Sequence, residues 1–131
     1  MRFRSCFLLA ALLLAAGCNR QPTVLMERTA LLEVGDVKAY SVEAAKADRE
    51  VHVEVNAAAL PVSVYVVQEK DRAAAMEALA ASKQPGNLLA ARENSQQSSL
   101  VTRVPADDGF AVLLALTNGK STGVTLKVTA K

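Results

Sequence analysis

Three places in this 131-residue chain put reactive side chains where they could do chemistry: Cys18 at the end of LAAGC, His52 within REVHVEVN, and Asp107 and Asp108 in PADDGF. A cysteine in isolation can be a free thiol, half of a disulfide, a metal ligand or a point of attachment. A histidine can act as general base for a serine, and two neighbouring carboxylates can help to hold calcium. The segment that carries each residue decides among these roles.

Arg2 and Arg4 precede an unbroken apolar run from Phe7 to Ala16, which stops at Gly17. A basic start, an apolar middle and small residues at the exit are the three parts of a secretory signal. A helix over that run rises only about 15 Å, against a hydrocarbon core of roughly 30 Å, so the segment reads as removed and not as a retained span. The small pair Ala16 and Gly17 followed at once by cysteine resembles the lipobox of bacterial lipoproteins. That resemblance implies a cut between Gly17 and Cys18, a diacylglycerol group on the Cys18 thiol and an acylated new amino terminus. Ala15 stands three places before the cysteine, where leucine is most frequent in that family, with Leu14 one place further back. Cys6, the other cysteine, lies in the removed segment, so the mature chain has no disulfide partner for Cys18, and a single thiol cannot supply a zinc site. Several acyl chains would hold the chain stably on a bilayer. Asn19, where aspartate is absent, resembles outer-membrane sorting in enteric bacteria and implies the periplasmic side of that membrane.

Taking residues 1–17 from 131 leaves 114, a length that suits one compact domain. The formal charge of +2 comes from Arg2 and Arg4; without them, 13 basic side chains balance 13 acidic ones. No Lys or Arg cluster remains to follow a phosphate backbone, and Tyr40, Tyr65 and Phe110 are too few for base stacking, so nucleic acid is not the expected partner.

The elements that must position any site are mostly strands. Residues 18–28 read as a short tether and 29–131 as the folded domain. Thr29 to Val34 and Val37 to Glu43 flank Gly35 and Asp36, which predicts a type II′ hairpin. In REVHVEVN, Val51, Val53 and Val55 alternate with Glu50, His52 and Glu54, the mark of a half-buried strand. PVSVYVVQ and FAVLLAL are apolar on both faces and call for a cover on the second. DRAAAMEALAASK changes period: it is alanine-rich, has Asp71 placed as an N-cap, and sets Ala75, Met76 and Leu79 at helical spacing. It predicts a helix of about three turns whose stripe covers Tyr65 and Val67. Strands resume at Asn87–Ala91, Leu100–Val104, Phe110–Thr117 and Gly123–Thr129, with RENSQQSS as a polar loop. The expected fold is all-β: a single β-sandwich of about eight mostly antiparallel strands with one short inserted helix, behind an N-terminal signal helix.

The order of these features, from the Gly35 and Asp36 turn through Tyr40, the valine strand, VYVV, a strand ending in VPA and a final alternating strand, resembles the bacterial pre-peptidase C-terminal domain over residues 28–130. The resemblance implies a β-sandwich appended to secreted proteins, without catalytic residues. LPVSVYVV lacks the acidic residues that often precede the equivalent strand, and DRAAAMEALAASK is an addition to the pattern.

Within that frame the chemistry recedes. His52, the only histidine, sits mid-strand with Glu50 and Glu54 on its own face, which describes a solvated sheet surface. Asp107 and Asp108 follow Pro105 and precede Gly109, as in a polar turn. There is no phosphate-binding glycine loop and no zinc pattern. The expectation is a lipid-anchored envelope protein that binds or assembles without catalysis and without a cofactor, with the membrane as one partner and an envelope protein as another. Tyr65, Val67, Met76 and Leu79 form the interaction surface to test. The rival reading is a small periplasmic hydrolase or metal-assisted enzyme using His52, and a third is an accessory subunit incomplete without its partner.

Overall fold

A computed structural model describes residues 21–131. Cys18, the Gly17–Cys18 cut and the signal helix lie outside the described residues. Eight strands form two four-stranded antiparallel sheets packed face to face: β1 (Thr23–Glu33), β8 (Ser121–Ala130), β3 (Arg49–Ala57) and β6 (Gln97–Val104) in one, and β2 (Val37–Val42), β7 (Phe110–Ala115), β4 (Val62–Gln68) and β5 (Leu88–Ser95) in the other. One helix, α1 (Arg72–Ala80), follows a single 3₁₀ turn at Glu69–Asp71. The all-β sandwich with one inserted helix is therefore the fold. Among the described residues no helix is long and apolar enough to cross a membrane.

The alternation of Val51, Val53 and Val55 with Glu50 and Glu54 turns one face of β3 inward, and Val124, Leu126 and Val128 do the same for β8. These residues meet Val62, Val64, Val66, Phe110, Val112 and Leu114 of the opposite sheet in the main core. Strands β4 and β7 are buried on both faces because α1 lies over the second: Tyr65, Val67, Ala111 and Leu113 pack beneath Ala75, Met76 and Leu79.

Four local expectations are corrected. Strand β1 begins at Thr23 and pairs with β8 from its first residue, so Thr23 to Arg28 are strand and not tether. The Gly35 turn does not close a hairpin, because β1 pairs with β8 and β2 with β7, and the chain passes there from one sheet to the other. Asp36 N donates to Glu33 O at 3.0 Å and Gly35, at the third turn position, has φ +86°, the type II arrangement and not type II′. RENSQQSS is almost wholly strand: β5 runs to Ser95 and β6 starts at Gln97, again crossing between sheets. Asp71 makes no side-chain cap to α1; it stands inside the 3₁₀ turn with helical dihedrals, so its carboxylate is not set for the N-cap role.

Candidate functional site

Helix α1 sets the geometry of the only face of the second sheet that it touches. Its nine residues rise about 13 Å, whereas the seven-residue strand β4 beneath it extends about 23 Å. The helix packs on Val67, Tyr65, Ala111 and Leu113, and the row formed by Ser63, Ala115 and Val37 lies outside that cluster. That row borders an open cleft of about 350 Å³, walled by the loop after α1 (Ser82, Lys83, Gln84), the Val34–Asp36 turn, Glu93 and Asn94 of β5, and Thr117.

Two buried polar side chains lie at its floor, Ser63 at 3% and Tyr65 at 5% exposure. The Tyr65 hydroxyl donates to Glu93 Oε1 at 3.0 Å, and Ser63 Oγ accepts from Asn94 N at 3.2 Å. Burial pushes the Tyr65 phenol up from its ordinary value, the Glu93 contact pushes the same way, and the Ser63 hydroxyl opposes them; the phenol stays protonated as Glu93's donor. Thr117 Oγ1 donates to Asn94 Oδ1 at 3.4 Å. A concave surface with an apolar floor of Ala115, Leu116 and Leu79 and a few converging polar groups has the character of a binding site. A depression of similar size, about 360 Å³, lies on the open face of the first sheet, but every polar residue lining it is exposed.

The structure gathers Tyr65, Val67, Met76 and Leu79 into one cluster, in which the helix buries Val67 wholly and leaves Tyr65 only its edge at the cleft floor. Leu79 is half-buried there. Leu79→Ala is expected to cost about 1–2 kcal/mol, below the roughly 2–5 of a fully buried leucine, read as a lowered urea midpoint; an unmoved midpoint would mean that α1 adds nothing by packing.

His52 stands on the uncovered face of the first sheet, the opposite side of the sandwich from the cleft. Its Nε2 pairs with Glu50 Oε1 at 2.7 Å. That hydrogen bond is the main cause of a Glu50 carboxyl held below its ordinary value, with the charges of His52, Lys131 and Arg103 adding to it and partial desolvation opposing. A lowered carboxyl favours the folded state above its ordinary titration range, and the contribution disappears as pH falls through the lowered value. His52→Ala should move the Glu50 midpoint upward in an NMR titration while changing stability by less than about 0.5 kcal/mol. An unmoved midpoint would show that the pair does not form in solution.

Asp107 and Asp108 are tied into a turn. Asp107 has φ +66° and its N–H donates to Ala45 O at 2.7 Å; Asp108 Oδ2 accepts from Gln68 Nε2 at 3.3 Å. Arg49 Nη2 reaches both Glu43 O and Asp108 O, at 3.0 and 3.4 Å. The turn staples two loops together, and among the described residues no group of His, Cys, Asp and Glu is placed to hold a metal.

Of the residues that line the cleft, the sequence points to Tyr65 and Leu79 and not to Ser63, Lys83, Glu93, Asn94 or Asp36. One signal was present: a buried tyrosine hydroxyl needs a partner, and Glu93 supplies it from a segment read as loop.

No family model matches the chain, and no curated protein does. Several solved structures are similar in fold, two of them as follows. One is a periplasmic lysozyme inhibitor of g-type lysozyme from Aeromonas hydrophila, 14% identical, with a TM-score of 0.54 over 81% of this chain and 85% of that one. The other is the pre-peptidase C-terminal domain of a Bacillus anthracis collagenase, also 14% identical, with a TM-score of 0.55 over 82% of this chain and 98% of that one. The likeness to both is one of fold, and it agrees with the β-sandwich resemblance carried by the strand order.

Proposed function

We propose that this chain is a lipid-anchored protein of the cell envelope, held through Cys18 on the periplasmic side of the outer membrane, that binds a protein partner without catalysing a reaction. The observation that carries the reading is the short reach between LAAGC and the fold. Strand β1 starts at Thr23, so the link from Cys18 extends no more than about 17 Å, and an anchored sandwich stands directly on its membrane. The separation of His52 from the Ser63 and Tyr65 cleft by the full thickness of the sandwich argues against a hydrolase built on that histidine. Cross-linking in the native envelope, followed by identification of the adducts, is expected to return a protein partner; adducts with lipid or with the chain itself alone would overturn the binding reading.

A second reading names the partner as a lysozyme. It is favoured by the match to the Aeromonas inhibitor over 81% of the chain. Adding the purified chain to a g-type lysozyme digest should slow it if this is right, and an unchanged rate would sink it.

A further inference from the structure

We infer that the cleft beyond the end of α1 is the docking site, and that it takes a loop of a protein partner presenting a single cationic side chain. This rests on the binding-module reading and names its site and chemistry.

Register fixes where the cleft lies. Thr23 pairs with Ala130 at one end of the sandwich, beside Arg49 and the PADDGF turn, whereas Glu33 pairs with Ser121 at the other, where Val34 N and Gly35 N donate to Lys120 O and Leu116 O. The cleft borders this second end, about 35 Å along β1 from Thr23 and so from the anchored side. Both ends carry charge. The loops nearest Thr23 hold Glu43, Lys46 and Asp48, then Glu69, Lys70 and Asp71, then Asp107 and Asp108. At the cleft end, residues 57–61 read AAALP and residues 94–97 read NSQQ, and the charges there include Glu33, Asp36, Lys83, Glu93 and Lys120. The half-exposed Val34 beside the cleft, at 51%, adds an apolar contact of the kind found at the core of a protein interface.

The charges that remain in the cleft select the occupant. Asp36 Oδ2 is fixed by the Glu33 N–H at 3.2 Å and Glu93 Oε1 by the Tyr65 hydroxyl at 3.0 Å, and each carboxylate leaves its second oxygen without a partner among the described residues. Pre-oriented acceptors facing an open cleft suit a guanidinium or ammonium, whose charge-assisted hydrogen bonds are about twice as strong as neutral ones. The single basic lining residue, Lys83, sits on the exposed loop after α1 and forms no ion pair with either carboxylate, so its charge repels an incoming cation without occupying the acceptors. The volume is at the low end for small-molecule sites and the cleft is open along one side, so an inserted side chain fits better than an enclosed metabolite.

The test is an NMR titration of the isotope-labelled full chain in detergent micelles with acetyl-Gly-Arg-Gly-amide, and with the same peptide carrying neutral citrulline for arginine. The arginine peptide should shift the amides of Gly35, Asn94 and Thr117 saturably, and the citrulline peptide should bind at least tenfold more weakly. Glu93→Gln, which still accepts from Tyr65 and so keeps the floor intact, should cost about tenfold in affinity, and Lys83→Ala should strengthen binding. Equal response to the two peptides, an unchanged affinity for Glu93→Gln, or shifts confined to the Asp107 end would overturn the inference. A captured partner cross-linked only through the His52 face would overturn the cleft and leave the binding reading standing; peptide binding in the cleft with no envelope partner would do the reverse.

Discussion

Phe110→Ala is expected to remove about 3–5 kcal/mol of folding stability, a large share of the roughly 5–15 that holds a typical domain together. The ring is wholly buried at the end of β7 and belongs to the core between the sheets. It also supports the Arg49 guanidinium, whose carbon lies 5.3 Å from the ring centroid and whose Nη2 bridges the Glu43 and Asp108 carbonyls. Arg49 Nε is buried without a hydrogen-bond partner, so its environment already lacks one compensation. Removing the ring takes away the apolar packing and the face on which this cation rests, and the loop at 43–48 and the PADDGF turn should loosen together. Equilibrium urea unfolding would show the midpoint falling by about 1–5 M for a slope near 1–3 kcal/mol per molar. Val101→Ala, half-exposed on β6, serves as the control and should stay within about 0.5 kcal/mol. A Phe110→Ala midpoint close to that control would mean that the ring is not in the core.

The same core explains which parts of the fold were legible in the sequence. REVHVEVN and GVTLKVTA alternate because one side of each strand faces the core and the other water, and that period survives in the amino acids. FAVLLA and VSVYVV announced a covered second face because both sides are apolar, and α1 is the cover. The start of β1 was hidden by a bulge between Val24 and Met26, which shifts the register and breaks the alternation in TVLMERTA. RENSQQSS carries the signature of a loop because Arg92, Glu93 and Asn94 are exposed and β5 and β6 lie at sheet edges; polar edge residues have no apolar pattern, and their pairing with β4 and β3 is a backbone matter.

Turns were visible and their destinations were not. Gly35 adopts a positive φ at a turn, as the sequence suggests, and Gly119 does so between β7 and β8. Whether such a turn folds a strand back on its neighbour or carries it to the other sheet depends on where β7 and β8 lie, some 80 residues away along the chain from Gly35. Every connection between consecutive strands crosses between sheets except the one through α1. The cleft is not legible for a related reason: it brings Tyr65 against Glu93 from 28 positions away.

Cys18→Ser should change where the chain is found more than any other single substitution, because the proposed attachment is all or none. A serine hydroxyl cannot form the thioether that a diacylglycerol group needs. The variant is therefore expected to take up no labelled lipid and to appear either with its signal uncut or as a soluble product. One acyl chain gives only marginal, reversible binding, whereas two or more anchor stably, so the wild-type chain should resist release from the membrane by high salt and carbonate. Labelling with a lipid precursor, followed by mass measurement of the amino-terminal peptide, tests both parts: a modified Cys18 at the mature terminus supports the proposal, and unchanged lipid uptake by Cys18→Ser would refute it. The early start of β1 adds a second arm. A flexible ten-residue insertion between Pro22 and Thr23 leaves the thioether untouched and lengthens the link by up to about 35 Å. Lipid labelling should then be unaffected, while a partner that is itself fixed at a set height in the envelope should be captured with altered yield. Loss of labelling on insertion would show that recognition of the cysteine extends into the folded strand, and that LAAGC alone is not the signal.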